Sequence, residues 1–289
     1  MKIKKAVIPV AGFGTRFLPI TKTVPKELLP IVDKPVLQYV VDEAQEAGIK
    51  EFIFVISPEK SAIKDYFEPY PELEKRLKKT QKFAELEELK KITKGLKFSY
   101  AIQKEPLGTG HALLCAEKLV GKDDFAYFDG DAIISSKVPA IKQVMEVFEK
   151  YDADGAIGGT KVPREHMIRY GNLLVKKIKN KHYKLDNVIE KPPFEQTSLN
   201  NLVVIGQRYV LKNKIFKILK TQKPGVKGEI WLADSAGRLA QEGNFYACEM
   251  EGKIYDTGNK LEYLKTVVEF ALKRKDINKE FKKYLQNII

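Results

Sequence analysis

Two short, uninterrupted apolar runs, AVIPV at 6–10 and FIFVI at 52–56, constrain this chain more than anything else in it. Each is too short for a helix and lacks the alternation of a half-solvated strand. Such runs suit strands covered on both faces, the usual condition of parallel strands in α/β proteins. Between them, residues 36–47 carry helical spacing and end at Gly48, a residue suited to the left-handed turn that closes a helix. Strand, helix, strand with short joints predicts an α/β fold with a doubly wound, mostly parallel, Rossmann-like sheet. Ligands on such sheets bind beyond the carboxyl ends of the strands. The segment after Val10 is therefore the first place to look for chemistry.

That segment is AGFGTRFLPITKTVPKELLP. Gly12 and Gly14 let backbone N–H groups approach a ligand closely, and Arg16 and Lys26 bring positive charge beside them, a combination suited to a polyphosphate. Pro25 stiffens the approach to Lys26. Two common phosphate loops are excluded. No G-x-x-x-x-G-K-[ST] is present here, and the dinucleotide fingerprint fails because Phe17 stands where its third glycine belongs. The run at 52–56 also ends in Ser57-Pro58 and not in an acid for a ribose hydroxyl. Alone, G-x-G-T-R is equally an ordinary glycine turn.

Further strands are expected at 98–103, 125–128 and 155–161, with helices at 111–119 and 140–151. Asp129-Gly130-Asp131 closes the strand at 125–128, on the rim shared with the opening loop. Residues 71–94 are charged, sparsely apolar and rich in helix formers, and read as a surface helical insertion. Short β-like pieces at 172–178, 183–189 and 202–209 predict a small antiparallel β lobe, about 170–210, laid over the rim. Helices at 212–219 and 229–241, a strand at 245–250 and C-terminal helices at 260–274 and 277–286 follow. No repeat or linker divides the chain, so 1–289 is expected to form a single domain.

The net charge of +13 raises the question of nucleic acid or membrane contact. The lysines are spread along the chain, with local density at 75–82 and 273–283, and no RNA- or DNA-binding motif accompanies them. A solvated surface whose field favours anionic substrates is the simpler account, with no nucleic-acid and no membrane partner. The 2 cysteines, Cys115 and Cys248, form no C-x-x-C pair and fit a reducing, cytoplasmic setting. No apolar run approaches the ~20 residues of a membrane helix. The basic start, MKIKK, resembles an export signal only until the break at Gly12.

The whole stretch A-G-x-G-T-R-x-x-P-x-T-K-x-x-P-K-E-x-L-P resembles the signature of sugar-1-phosphate nucleotidylyltransferases, most closely those acting on UTP and glucose 1-phosphate. QKEPLGTGHA, YGN, VIEKP and YDTGNKLEYLKTVVE keep that family's order along nearly the whole chain. The resemblance implies uridylyl transfer from UTP to glucose 1-phosphate, giving UDP-glucose, with Mg²⁺ as cofactor and a homodimer or homotetramer as the working form. The same chemistry with dTTP or another sugar 1-phosphate is the alternative. A catalytically silent regulatory relative is a third reading, opposed by intact Arg16, Lys26 and Asp131.

The resemblance assigns catalysis to Arg16, Lys26 and Asp131, with Asp131 and Asp256 as metal ligands. The family has adjacent acids where this chain has Asp129-Gly130-Asp131, so either acid has the chemistry to bind metal. Asp256 is equally an N-terminal acid for the helix after it. Nucleotide contacts are expected from Ala11, Gly12, Gly14, Gln103 and Gly108. A glutamine, both donor and acceptor, suits the edge of uracil. Glu27 supports that pocket or pairs with a lysine. Gly171, Glu190 and Lys191 would serve the sugar phosphate, the carboxylate accepting from hydroxyls and the ammonium facing the phosphate. His111, His166 and His182 read as structural, and Trp231 replaces a usually polar residue at a lobe contact.

Overall fold

A computed structural model describes residues 3–225 and 228–288; Met1 and Lys2 of the basic start lie outside them. One ten-stranded sheet organises the chain. Its order is Leu202–Val204, Gly171–Lys179, His182–Ile189, Phe245–Glu249, Gly155–Gly159, Arg208–Leu211, Phe125–Phe128, Lys5–Pro9, Glu51–Ile56 and Lys97–Ile102. Pairing directions show that Arg208–Leu211, His182–Ile189 and Leu202–Val204 run one way and the other strands the opposite way.

Alternation along the strands explains why the inner ones are apolar throughout. Ala6, Ile8, Phe52, Phe54 and Phe128 enter one core, under helices Val36–Glu46, Ser61–Phe67 and Ala140–Lys150. Val7, Ile53, Val55, Phe125 and Tyr127 enter a second core on the other face. Helices Thr109–Cys115, Ile215–Thr221 and Leu232–Glu242 cover it. Nearly every residue of these inner strands is buried on one side or the other, so little polar face remains there. The helix Val36–Glu46 ends at Gly48 with φ 95°, as its sequence predicts.

Two expectations change, and a third, the helical insertion, gains detail. Residues 202–209 do not form one strand. The chain turns at Gly206, with φ 64°, and its two halves occupy distant places in the sheet. The antiparallel strands of the lobe continue the main sheet, through the pairing of His182–Ile189 with Phe245–Glu249. The insertion is two helices, Pro71–Lys79 and Phe83–Lys91, hinged at Gln81 with φ 58°. A small antiparallel pair, Ala132–Ser135 with Lys253–Asp256, carries the chain from the rim to helix Lys260–Lys273. The last helix, Asn278–Ile288, buries none of its residues. Among the described residues no helix is long and apolar enough to cross a membrane.

Candidate active site

The opening loop leaves its strand at Val10 and turns at Gly14, whose φ is 64°. Thr21 Oγ1 donates to the Gly14 carbonyl at 2.8 Å, so the loop folds back on itself. Three short 3-10 turns then bring Lys26 to the rim, where Nζ lies 2.5 Å from Asp131 Oδ2. Burial lowers the Lys26 ammonium, but Asp131, Glu27 and Asp129 outweigh it and hold the group above its usual range. Lys26 therefore stays a fixed cation.

Glu27 points inward. Its Oε2 accepts from Lys60 Nζ at 2.8 Å, and the same ammonium donates to the Val10 carbonyl at 2.7 Å. Burial raises the Glu27 carboxyl and lowers the Lys60 ammonium, each against the attraction of its partner. Both readings of Glu27 meet here, since it pairs with a lysine and also lines the cavity beside the loop. The sequence reading missed Lys60, which stands in an unremarkable SPEK segment.

A cavity of about 310 Å³ opens beside this loop, walled in part by Ala11, Gly12, Gln103, Gly108, Tyr127 and Trp231. Gln103 is buried, and its Nε2 serves the Gly108 carbonyl at 3.2 Å and His111 Nδ1 at 3.0 Å. That engagement fixes the amide and leaves its oxygen as the group for a ligand. Gly108 has φ 97°, and a Cβ there would stand 2.6 Å from the Ile230 carbonyl oxygen, so only glycine fits. Trp231 belongs to this wall.

Asp131, Asp256 and Arg16 converge on Gly258. A Cβ placed on Gly258 would lie 3.1 Å from Asp131 Oδ2, 3.2 Å from Asp256 Oδ1 and 3.9 Å from Arg16 Nη1. Thr257 Oγ1 donates to the Asp131 carbonyl at 2.6 Å, and Arg16 Nη1 donates to the Gly258 carbonyl at 3.4 Å. Burial, then Asp131, raises the Asp256 carboxyl, against the Gly258 N–H, Arg16 and Lys26. Two hard carboxylate oxygens facing one small space fit a magnesium ion, which takes few protein ligands beside substrate phosphates. Among the described residues no third His, Cys, Asp or Glu joins them.

Asp129 faces a different way. Its Oδ2 accepts from the Gln207 N–H at 3.0 Å, and its own N–H donates to the Gln207 carbonyl at 3.1 Å. Burial and the nearby Asp131 push this carboxyl up to about 7, against Gln207, Arg208 and Lys26.

On the far side of Asp129 lies a cavity of about 110 Å³, also walled by Arg169, Gly171, Glu190, Gln207 and Tyr209. A Cβ on Gly171 would stand 2.9 Å from Glu190 Oε2, so strand and carboxylate touch there. Lys191, with φ 44°, turns away from this wall, and its exposed ammonium lies 3.5 Å from Glu190 Oε1. A wider groove of about 1060 Å³ runs between the insertion and helix Val36–Glu46. Its floor is Leu73, Leu77, Leu89 and Ile92. Most rim charges there are paired, as Asp33–Arg274, Lys34–Asp42 and Lys91–Glu88.

A polyphosphate loop, a convergent acid pair and two cavities meeting at one aspartate define a nucleotidyl-transferring centre. The chain belongs to the nucleotidyl transferase family, whose model matches residues 5–272. It is 41% identical over 288 residues to the UTP–glucose-1-phosphate uridylyltransferase of Bacillus subtilis strain 168, a match covering 100% of this chain and 98% of that one. It is 42% identical over 287 residues to the enzyme of the same name from Staphylococcus epidermidis, covering 99% of each chain. The UTP-bound UGPase of Acinetobacter baumannii superposes with a TM-score of 0.91 at 36% identity, over 99% of this chain and 100% of that one. A UDP-glucose pyrophosphorylase complexed with UDP-glucose gives 0.83 at 37% identity, over 94% and 100%.

Proposed function

We propose that this chain transfers the uridylyl group of UTP to glucose 1-phosphate, forming UDP-glucose and releasing pyrophosphate. The observation that carries the reading is the meeting of both cavities at Asp129, with Lys26, Asp131, Asp256 and Arg16 grouped beside it. A nucleotide fits the larger cavity and a sugar the smaller, so their phosphates would meet between them.

The sugar phosphate is already an anion at neutral pH, so its oxygen attacks the α-phosphorus without a general base. A P–O bond forms there as the bond to the β-phosphate oxygen breaks, and its electron pair leaves with pyrophosphate. Alignment and neutralisation of crowded negative charge are what such a step requires. Arg16 and Lys26 neutralise the triphosphate. Ala11, Gly12 and Gly14 present backbone to it, and the Gln103 oxygen, with Gly108, reads the base. Glu190 and Gly171 hold sugar hydroxyls, and Lys191 serves the sugar phosphate from the rim. Asp131 and Asp256 would hold Mg²⁺, which supplies further positive charge to the phosphate oxygens when bound.

A cytosolic homodimer or homotetramer is the form we propose, built through the insertion and the C-terminal helices. Leu261, Leu264, Tyr284 and Ile288 stand exposed on those helices, which supports this choice of surface. A panel of nucleotides against sugar 1-phosphates, with pyrophosphate release as the readout, tests the activity. UTP with glucose 1-phosphate should be the fastest pair. Faster turnover with dTTP would overturn the uridylyl assignment and leave nucleotidyl transfer standing.

A further inference from the structure

We propose that Lys60 is a positioning residue of the nucleotide site, one ammonium that ties together the two limbs of the phosphate loop. This role rests on the reading of the loop as the UTP site. The sequence from Val10 to Glu27 makes a long excursion through turns that are mostly exposed, yet both of its ends are anchored to the same atom. Lys60 Nζ donates to the Val10 carbonyl at 2.7 Å and to Glu27 Oε2 at 2.8 Å. Val10 precedes the Ala11 and Gly12 backbone that walls the nucleotide cavity, and Glu27 follows Lys26.

Lys60 is 9% exposed and Glu27 2% exposed, and Lys60 forms no part of the cavity wall. It therefore acts through its neighbours and does not touch the nucleotide. A buried ion pair is a poor device for stability alone, since both groups lose their water, and apolar residues of similar volume serve that purpose as well or better. What an ion pair adds is direction. Three donors on one nitrogen hold a carbonyl and a carboxylate at fixed distances, and so fix the spacing of the Ala11–Gly12 backbone from Lys26. Lys60 also sits directly before helix Ser61–Phe67, whose Ile63 and Phe67 are packed in the core, so the anchor is rigid on its far side.

The sharpest test combines Lys60→Met, Glu27→Gln and the double variant. UTP binding is read by calorimetry, KM for each substrate from pyrophosphate release, and folding by thermal melting. Lys60→Met is expected to weaken UTP binding and raise its KM by about tenfold or more, with the glucose 1-phosphate KM within about threefold. Adding Glu27→Gln removes the unpaired buried carboxylate and should recover about threefold or more of the lost UTP affinity. A folded Lys60→Met chain that binds UTP within twofold of the unaltered one overturns the role. So does an equal rise in both KM values, which a merely structural residue would give.

If Lys60→Met fails to fold, Glu27→Gln alone decides. It keeps an acceptor for Lys60 but leaves that ammonium without its counter-charge, and a loss of about threefold confined to UTP supports the role, while unchanged binding overturns it. An unaltered chain that does not bind UTP overturns the reading of the site, and this role with it. An unaltered chain that binds UTP beside an indifferent variant overturns the role alone.

Discussion

Replacing Arg208 by leucine should be among the most destabilising single changes available in this chain, and the reason lies at the centre of the sheet. Arg208 is 0% exposed. Its Nε lies 3.0 and 3.1 Å from the two Glu43 oxygens, and its Nη2 lies 2.7 Å from Glu43 Oε2 and 3.0 Å from the Ala132 carbonyl. Leucine would leave Glu43 with the Ile141 N–H at 3.0 Å as its remaining partner in the structure. Breaking a buried pair by removing one member costs about 3–5 kcal/mol, because the other charge stays buried. A domain's whole stability is on the order of 5–15 kcal/mol. At roughly 2–4 °C per kcal/mol for a large domain, melting should fall by about 6–20 °C. Urea unfolding read by circular dichroism gives the free energy directly. The double variant Arg208→Leu with Glu43→Leu should lose less than Arg208→Leu alone, since no uncompensated charge remains. A single variant that loses under ~1 kcal/mol would refute the reasoning, as would a double variant whose loss equals the sum of the two singles.

Lys26→Ala and Arg16→Ala should each lower kcat by about 10²-fold, the scale for removing one stabiliser of developing charge, with melting nearly unchanged because both side chains lie at the rim. Unchanged turnover in steady-state kinetics would remove that residue from the mechanism. Asp131→Asn should abolish most turnover and be partly rescued by added Mg²⁺ through mass action, while Asp129→Asn should do much less. The reverse ranking would exchange their roles. Gly108→Ala should raise the UTP KM, since its Cβ would press within 2.6 Å of the Ile230 carbonyl oxygen. An unchanged KM would separate Gly108 from the nucleotide site.

The inner strands and the helix between them were legible because burial on both faces writes itself into composition. The break at Gly206 was not. LVVIGQRY reads as one β-like piece, and the distant partners, Gly171–Lys179 for one half and Phe125–Phe128 for the other, separate its halves. The continuity of the lobe with the main sheet depends on pairing between residues 182–184 and 246–248, which no local pattern reports. The two acids of Asp129-Gly130-Asp131 were open from sequence for a similar reason. Their difference comes from Gln207, far along the chain, whose backbone engages Asp129 and leaves Asp131 to Lys26. Lys60 escaped notice because a lysine beside a turn is usually solvated, and its burial is a fact of packing.

Strand Arg208–Leu211 gives the arrangement of the site its logic. It runs against both neighbours, Phe125–Phe128 and Gly155–Gly159, so its beginning stands at the rim where their ends are. The strands on one side of it carry the phosphate loop, Gln103 and Asp131, and those on the other side carry Gly171 and lead to Glu190. The seam between the two halves is therefore Gln207 facing Asp129, and Asp129 lines both cavities. A reaction that joins a nucleotide to a sugar phosphate needs its two substrates delivered from opposite sides to one small volume. A reversed strand in an otherwise largely parallel sheet provides such a place, in the manner of a topological switch point. The Arg208–Glu43 pair holds that seam to helix Val36–Glu46, and through the Ala132 carbonyl it braces the residue after Asp131. Loss of that pair should then disturb the placement of Asp131 as well as the stability of the sheet.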